Sequence, residues 1–332
     1  MNEVLSSRGK VLVTGPTSFL GYHVTKRLID RGIHPRVLLA PDAEESLLQN
    51  LEVDVVRGNL DDSASLRAAC DGVGTVFHLA FLVGVGGGLE ERMEKMNVQG
   101  TRHLLDAAAE AGVKCLVITS SALAVGVNRR PEPLDETADW VTHRLKLPYA
   151  ASRRRAEEDA LSRANEKMAV IAVNPSFTMG PDDYVGAPAN KLLDAVSAGK
   201  LPFSLSVGFG CLDVRDFAEG MVLAAESGHS GQRYLLSGHD VMADDLLKQI
   251  AAIAGVRPPR WRLPTWAAYV LVTVMQAVSV LRGKQPPITR NVLEILGRYA
   301  WYDTSRARRE LGWEPRPLQQ TLEETLNWLR SR

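Results

Sequence analysis

The 332-residue sequence carries only three cysteines, Cys70, Cys115 and Cys211. The number is odd and the spacing fits no zinc motif, so neither a disulfide framework nor a metal site is expected. We read reduced thiols in a reducing compartment. Excess charge is also missing, because 39 Lys plus Arg balance 39 Asp plus Glu. A neutral chain offers no broad footprint for nucleic acid or an anionic membrane. The Arg153-Arg154-Arg155 run is too short to change that and reads as a solvated helix face. Met1 to Lys10 lacks the charged-then-apolar pattern of an export signal, so a cytoplasmic location is expected. No internal repeat and no low-complexity linker is visible. One apolar run, Pro264 to Leu281, is borderline for crossing a bilayer and is interrupted by Thr273, Gln276 and Ser279. It reads either as a helix packed in a second lobe, or as one that lines a greasy substrate entrance or dips into a lipid surface.

What is present is an alternation of strand and helix signals. Lys10 to Thr14, Arg36 to Leu39, Val53 to Arg57, Val73 to Leu79, Lys114 to Thr119 and Met168 to Val173 read as strands. Phe19 to Arg31 shows helical spacing at Leu20, Val24 and Leu28. Ala64 to Ala69, Leu89 to Ala111 and Pro148 to Asn165 read as further helices. This order predicts an α/β fold, a Rossmann-type doubly wound parallel sheet covered on both faces. Unbroken runs such as Val11-Leu12-Val13 suit strands buried on both sides. After Gly180 the pattern loosens. Residues 1–180 are therefore expected to form the dinucleotide-binding part, and 181–332 mainly a smaller substrate lobe. The stretch 211–240, with Arg233 to Leu236, is expected to return to the sheet.

The first strand runs into Thr14-Gly15-Pro16-Thr17-Ser18-Phe19-Leu20-Gly21, and a helix follows at once. A tight turn with bare backbone lets amide N–H groups and a helix N-terminus meet a pyrophosphate. Gly15 supplies the turn, and Gly21 lets the helix pack close to the sheet. Ser18 stands where the middle glycine of such loops is expected; its hydroxyl could donate to a phosphate. In this context Gly15, Thr17, Ser18, Phe19, Leu20 and Gly21 are the candidate phosphate contacts.

Further motifs accumulate along the chain: Gly58-Asn59-Leu60-Asp61-Asp62, Phe77-His78-Leu79-Ala80, Asn97-Val98-Gln99-Gly100-Thr101 and Thr119-Ser120-Ser121-Ala122. Tyr149 opens a helix, Asn174-Pro175 runs on to Gly180-Pro181-Asp182, and the tail holds Tyr302-Asp303-Thr304-Ser305 and Leu311-Gly312-Trp313-Glu314-Pro315. Through these the chain resembles, nearly end to end, the extended short-chain dehydrogenases/reductases of the NAD-dependent epimerase/dehydratase superfamily. The branches it looks most like are dihydroflavonol-reductase-like, 3β-hydroxysteroid-dehydrogenase-like and hopanoid-associated sugar epimerase-like. The resemblance implies that Asn59 and Leu60 flank an adenine and that Leu79, Ala80 and Phe81 line the cofactor cleft. It places Thr119 on the cofactor side and Pro175 beside the nicotinamide. Asn97 carries two readings, a cofactor contact or a structural helix-to-strand hydrogen bond. A homodimer through the helices Leu89 to Ala111 and Pro148 to Asn165 is the default by analogy.

Moving hydride to or from a carbonyl carbon requires a proton at the oxygen. A tyrosine can carry it if a fixed positive charge lowers its pKa toward working pH. The family places Tyr and Lys four residues apart on one helix face. Here the tyrosine is Tyr149 and the hydroxyl is Ser121, with Ser120 the alternative by register. The lysine position holds Arg153, which keeps the charge but cannot give up a proton. The second strand ends Arg36-Val37-Leu38-Leu39-Ala40-Pro41-Asp42, with neither the acid that selects NAD nor the Arg that selects NADP. The branch resemblance tips the reading narrowly to NADP over NAD.

Three functions follow. The first is an oxidoreductase acting on a ketone or secondary alcohol of a largely apolar small molecule. Phe177, Met179, Phe203, Phe209 and Trp266 are candidate pocket walls, and Phe81 to Leu89 is a glycine-rich loop able to hinge. The second is a nucleotide-sugar epimerase or dehydratase. The third is a cofactor-binding scaffold or regulator with little catalysis, suggested by Ser18, Arg153 and the missing cofactor selector.

Overall fold

The computed structural model describes residues 3–84, 89–140, 145, 147–281 and 294–332. Seven strands form the central sheet: β1 Lys10–Thr14, β2 Arg36–Leu39, β3 Asp54–Arg57, β4 Val73–His78, β5 Cys115–Thr119, β6 Ala169–Pro175 and β7 Arg233–Leu236. Their order is β7-β6-β5-β4-β1-β2-β3, and every pairing is parallel. The expected doubly wound α/β architecture is present, with Arg233–Leu236 returning to the sheet beside β6.

Side chains alternate across the strands, and each face has its own core. Val11, Val13, Phe77, Val117 and Val173 pack with Val24 and Leu28 of helix Phe19–Asp30 and with Phe217 and Met221 of helix Val214–Ser227. Leu12, Val76, Leu116, Ile118 and Ala172 face the other way, onto helices Ser63–Cys70 and Gly100–Glu110. Burial on both faces explains the continuous apolar runs in β1, β5 and β6. All three cysteines are buried and free, and burial pushes the Cys70 thiol up to about 11.

The long helix expected over Leu89 to Ala111 is three pieces: α-helix Glu90–Met93, a π-helical stretch Glu94–Gln99, and α-helix Gly100–Glu110. Past β6 lies the second core, where Met179, Leu193, Leu246, Ile250, Leu322 and Leu326 meet. Helices Pro188–Ser197, Ala243–Ala254 and Leu318–Arg330 supply it. Met179 is thus core and not pocket wall, and Trp266 is 72% exposed.

Sequence-distant segments cover the outer edge of β7. Leu235 N–H donates to Glu136 Oε1 at 3.1 Å, and Arg306 reaches Arg233 O. The segment 126–140 is in turn bridged to the tail through Asn128 with Tyr299 and Leu134 with Tyr302. The tail is anchored by Trp313, fully buried, whose indole N–H donates to Asp216 O at 2.8 Å.

Candidate active site

The strand order reverses between β1 and β4, so their carboxyl ends open a crevice of the kind that takes ligands in open α/β sheets. Gly15 leaves β1 at φ +68°. A Cβ there would lie 2.7–2.8 Å from Leu79 O and Ala80 N, so the loop can hug the end of β4 only as glycine. A Cβ on Gly21 would lie 1.9 Å from Gly15 O. Ser18 caps the helix: its Oγ accepts from Gly21 N at 3.0 Å and donates to Gly15 O at 2.8 Å. The hydroxyl proton is therefore committed inside the loop and does not reach toward a phosphate. The amides of Phe19 and Leu20, in the first turn, have no intrahelical acceptor.

A buried chain of hydrogen bonds ties this loop to the neighbouring helix. Thr101 Oγ1 donates its only proton to Asn97 O at 2.6 Å, so it must accept from His78 Nε2 at 2.9 Å. Burial first, and the Arg153 charge second, push His78 down to about 3. The ring is neutral, its Nδ1 is an acceptor, and Thr14 Oγ1 donates to it at 2.8 Å. Thr14 Oγ1 then accepts from the amides of Leu79 and Ala80 at 3.1 and 3.2 Å. Asn97 belongs to this scaffold. Its Oδ1 accepts from Leu82 N at 2.7 Å, and its Nδ2 donates to Leu82 O at 3.1 Å and to Ser152 Oγ at 3.0 Å. With those groups engaged, the structural reading of Asn97 is the one the geometry favours.

Helix Pro148–Ser162 starts at Pro148 and carries Tyr149, Arg153 and Glu157 at four-residue intervals on one stripe. The Tyr149 phenol faces the Ser121 side chain, whose hydroxyl acts to lower the phenol's pKa. Ser121 sits just past β5, where its Oγ also accepts from Leu123 N at 3.2 Å. Arg153 is fully buried, and its guanidinium lies 4.4 Å from the centroid of the Phe81 ring. None of its three side-chain nitrogens has a hydrogen-bond partner among the described residues. Glu157 is held by Arg233 at 2.8 Å and by Asn174 Nδ2 at 2.6 Å. Asn174 Nδ2 also donates to Ser121 O at 3.1 Å, which fixes the serine's backbone. Arg154 pairs with Glu158 and Arg155 with Glu94, away from this stripe.

The electrostatics correct one expectation. Burial pushes the Tyr149 phenol above its usual 10.0, while the Arg153 charge and the Ser121 hydroxyl pull it down only in part. The phenol is not acidified toward neutrality. Desolvation also outweighs Tyr149 and Glu157 in lowering the guanidinium, which nonetheless stays charged at neutral pH.

The remaining candidates divide. Phe81 faces Arg153, and Pro175 ends β6 beside Ser176, whose hydroxyl is buried without a partner. Ser120 Oγ is likewise buried and unpartnered. The Leu60 and Leu79 side chains belong to the cores, so these residues have only backbone to offer. Thr119 Oγ1 turns to Met221 Sδ at 3.6 Å. Asn59 Oδ1 accepts from Asp61 N at 2.9 Å, closing its own turn. Of the hinge loop, residues 85–88 lie outside the described residues. Among the described residues no cluster of His, Cys, Asp or Glu is built to hold a metal.

Sequence reading missed Arg57. The register pairs it with Leu39, so it stands next to the end of β2. Its guanidinium donates to Pro41 O at 3.1 Å and Ala43 O at 3.3 Å and pairs with Glu45 Oε1 at 2.6 Å. Counting along β2 alone cannot reveal a group delivered by the adjacent strand.

The residues present fit a dinucleotide. Two glycines clear a backbone cradle at the crevice, and a buried guanidinium with free donors waits beside a phenol. The comparisons agree. The chain is 27% identical to sterol demethylase protein B of Methylococcus capsulatus, covering 97% of this chain and 98% of that one. It is 29% identical to 2-alkyl-3-oxoalkanoate reductase of Stenotrophomonas maltophilia, again over 97% and 98%. The crystal structure of gox2253 superposes with TM-score 0.86 at 33% identity, covering 97% of this chain and 98% of that chain. The model of the NAD dependent epimerase/dehydratase family matches residues 11–237, and the chain belongs to that family.

Proposed function

We propose that the protein reduces a ketone on a largely apolar small molecule, using NADP, with Tyr149 as the proton donor. The observation that carries this reading is the Tyr149–Ser121 pair beside the buried, unpartnered Arg153 guanidinium. Because the phenol is held above its usual pKa, it is protonated throughout the neutral range and suited to give a proton rather than take one. The reductive direction is the one named for the oxoalkanoate reductase relative. A bound nicotinamide would supply the hydride to the carbonyl carbon. The Ser121 hydroxyl positions the carbonyl oxygen, and Tyr149 delivers the proton that turns the developing alkoxide into the alcohol. Arg153 holds positive charge at the phenol, and its free N–H donors suit ribose hydroxyls. Loop amides from Gly15 to Gly21 hold the pyrophosphate.

Support for an apolar substrate comes from Phe177 and Phe209, stacked with centroids 5.0 Å apart just past β6, and from the names of the sterol and oxoalkanoate relatives. Support for NADP comes from Arg57, whose side chain is 46% exposed at the end of β2 and balanced by a single exposed carboxylate, Glu45.

The test is oxidation of NADPH and NADH against a panel of apolar ketones. Turnover that falls by at least ~100-fold in Tyr149→Phe, with cofactor affinity unchanged, supports the reading. Equal turnover in Tyr149→Phe, or tight nucleotide binding with no turnover by the native chain, overturns it.

A further inference from the structure

We infer that the outer face of helix Thr265–Leu281 docks on an anionic phospholipid surface, lying flat among the headgroups. Trp266, Val270, Val274 and Val278 recur every four residues and form one stripe, exposed by 72%, 56%, 55% and 38%. Trp261, in the strand just before the helix, is 73% exposed. The opposite face is anchored: Ala268 and Val272 pack on Leu296, with Leu205 and Leu263 against them. A helix seated on a globular body normally turns charged residues to water. This one has none, and its solvent side is aromatic and aliphatic.

Charge indicates what covers that side. The whole chain is neutral, but residues 246–281 hold Lys248, Arg257, Arg260 and Arg262 and no Asp or Glu. Arg257 and Arg260 are exposed just ahead of the stripe and make no ion pair among the described residues. Arg262 shares Asp244 with Lys248. An apolar stripe with tryptophans at one end and arginines beside it matches the headgroup boundary of an anionic leaflet. No described helix is long and apolar enough to cross a bilayer, and 17 residues extend only about 25 Å. Arginine attraction and tryptophan insertion act together, so neither must be strong alone.

The experiment uses the full chain and sedimentation with two kinds of vesicle, pure phosphatidylcholine and phosphatidylcholine with about one-third phosphatidylserine. Binding to the anionic vesicles should exceed binding to the neutral ones by at least ~10-fold and weaken with salt. Trp266→Ser combined with Val270→Ser should lower binding to the anionic vesicles by at least ~10-fold. Arg257→Gln with Arg260→Gln should cost about fivefold per arginine on anionic vesicles and little on neutral ones. Reduction of a water-soluble ketone without vesicles should be unchanged in both variants, which separates this inference from the catalytic reading. Absence of vesicle binding overturns the inference, as does binding that neither double variant weakens. An oligomer in light scattering that Trp266→Ser splits, with no vesicle binding, assigns the face to a second copy of the chain instead.

Discussion

Arg153→Met probes the strangest group in the molecule. The guanidinium is fully buried, and its three nitrogens lack hydrogen-bond partners. An unsatisfied buried polar group costs roughly 1–3 kcal/mol, and more when charged. Two features offset this: the Phe81 ring at 4.4 Å, for about 2 kcal/mol when desolvated, and the attraction of Glu157. Glu157 is already shared with Arg233 and Asn174, so its help is diluted. On balance Arg153 costs the cofactor-free protein on the order of 2 kcal/mol. Methionine fills a comparable volume without a charge. Arg153→Met should therefore raise the stability of the cofactor-free chain by about 2 kcal/mol, or roughly 3 °C in Tm. Saturating dinucleotide at about 100 times its Kd should add some 2.7 kcal/mol to the native chain and less to the variant. Urea unfolding with and without NADPH reads both, and turnover should be lost together with the cofactor-linked gain. A cofactor-free variant destabilised by 2 kcal/mol or more refutes the reasoning, because the guanidinium would then be well satisfied before any ligand arrives. Arg153→Lys keeps the charge and should preserve or raise turnover.

Further outcomes follow from the same geometry. Reduction requires the protonated phenol, and burial raises its pKa, so the rate should stay flat through neutral pH and fall only above 10.0, which a pH profile of kcat checks. A decline centred near pH 7 would contradict this. Gly21→Ala puts a methyl 1.9 Å from Gly15 O and should weaken dinucleotide binding by at least ~10-fold in calorimetry. Asn97→Ala strands both polar groups of Leu82 and loses the Ser152 contact, at a cost of about 2–4 kcal/mol in urea unfolding. Arg57→Ala should raise KM for NADPH by about tenfold and leave NADH nearly untouched; equal effects on both would remove Arg57 as the selector.

Much of the fold was readable because burial on both faces of a parallel sheet writes itself as unbroken apolar strands between amphipathic helices. The glycine loop was readable because the turn and the close helix packing demand bare backbone at Gly15 and Gly21. The candidate site was drawn from residue types at spacings, namely Tyr149, Arg153 and Ser121. What escaped depends on contacts between distant segments. The sign of the Tyr149 shift follows from how deeply the helix is packed, which spacing does not encode. Arg57 reaches the end of β2 only through strand register. The neutral tautomer of His78 is dictated by Thr101 and Thr14, residues 23 and 64 positions away. The π-helical stretch around Asn97 leaves no mark in the hydrophobic pattern.

The stitching along β7 has a consequence for the life of the chain during synthesis. An outermost strand left bare is a template onto which another polypeptide can add. Here Glu136 and Arg306 occupy that margin, and Arg306 belongs to a segment synthesised after the strand it covers. Until that segment docks through Trp313, nascent chains are open to sticking to one another. A protein truncated before residue 302 should accordingly accumulate as aggregate.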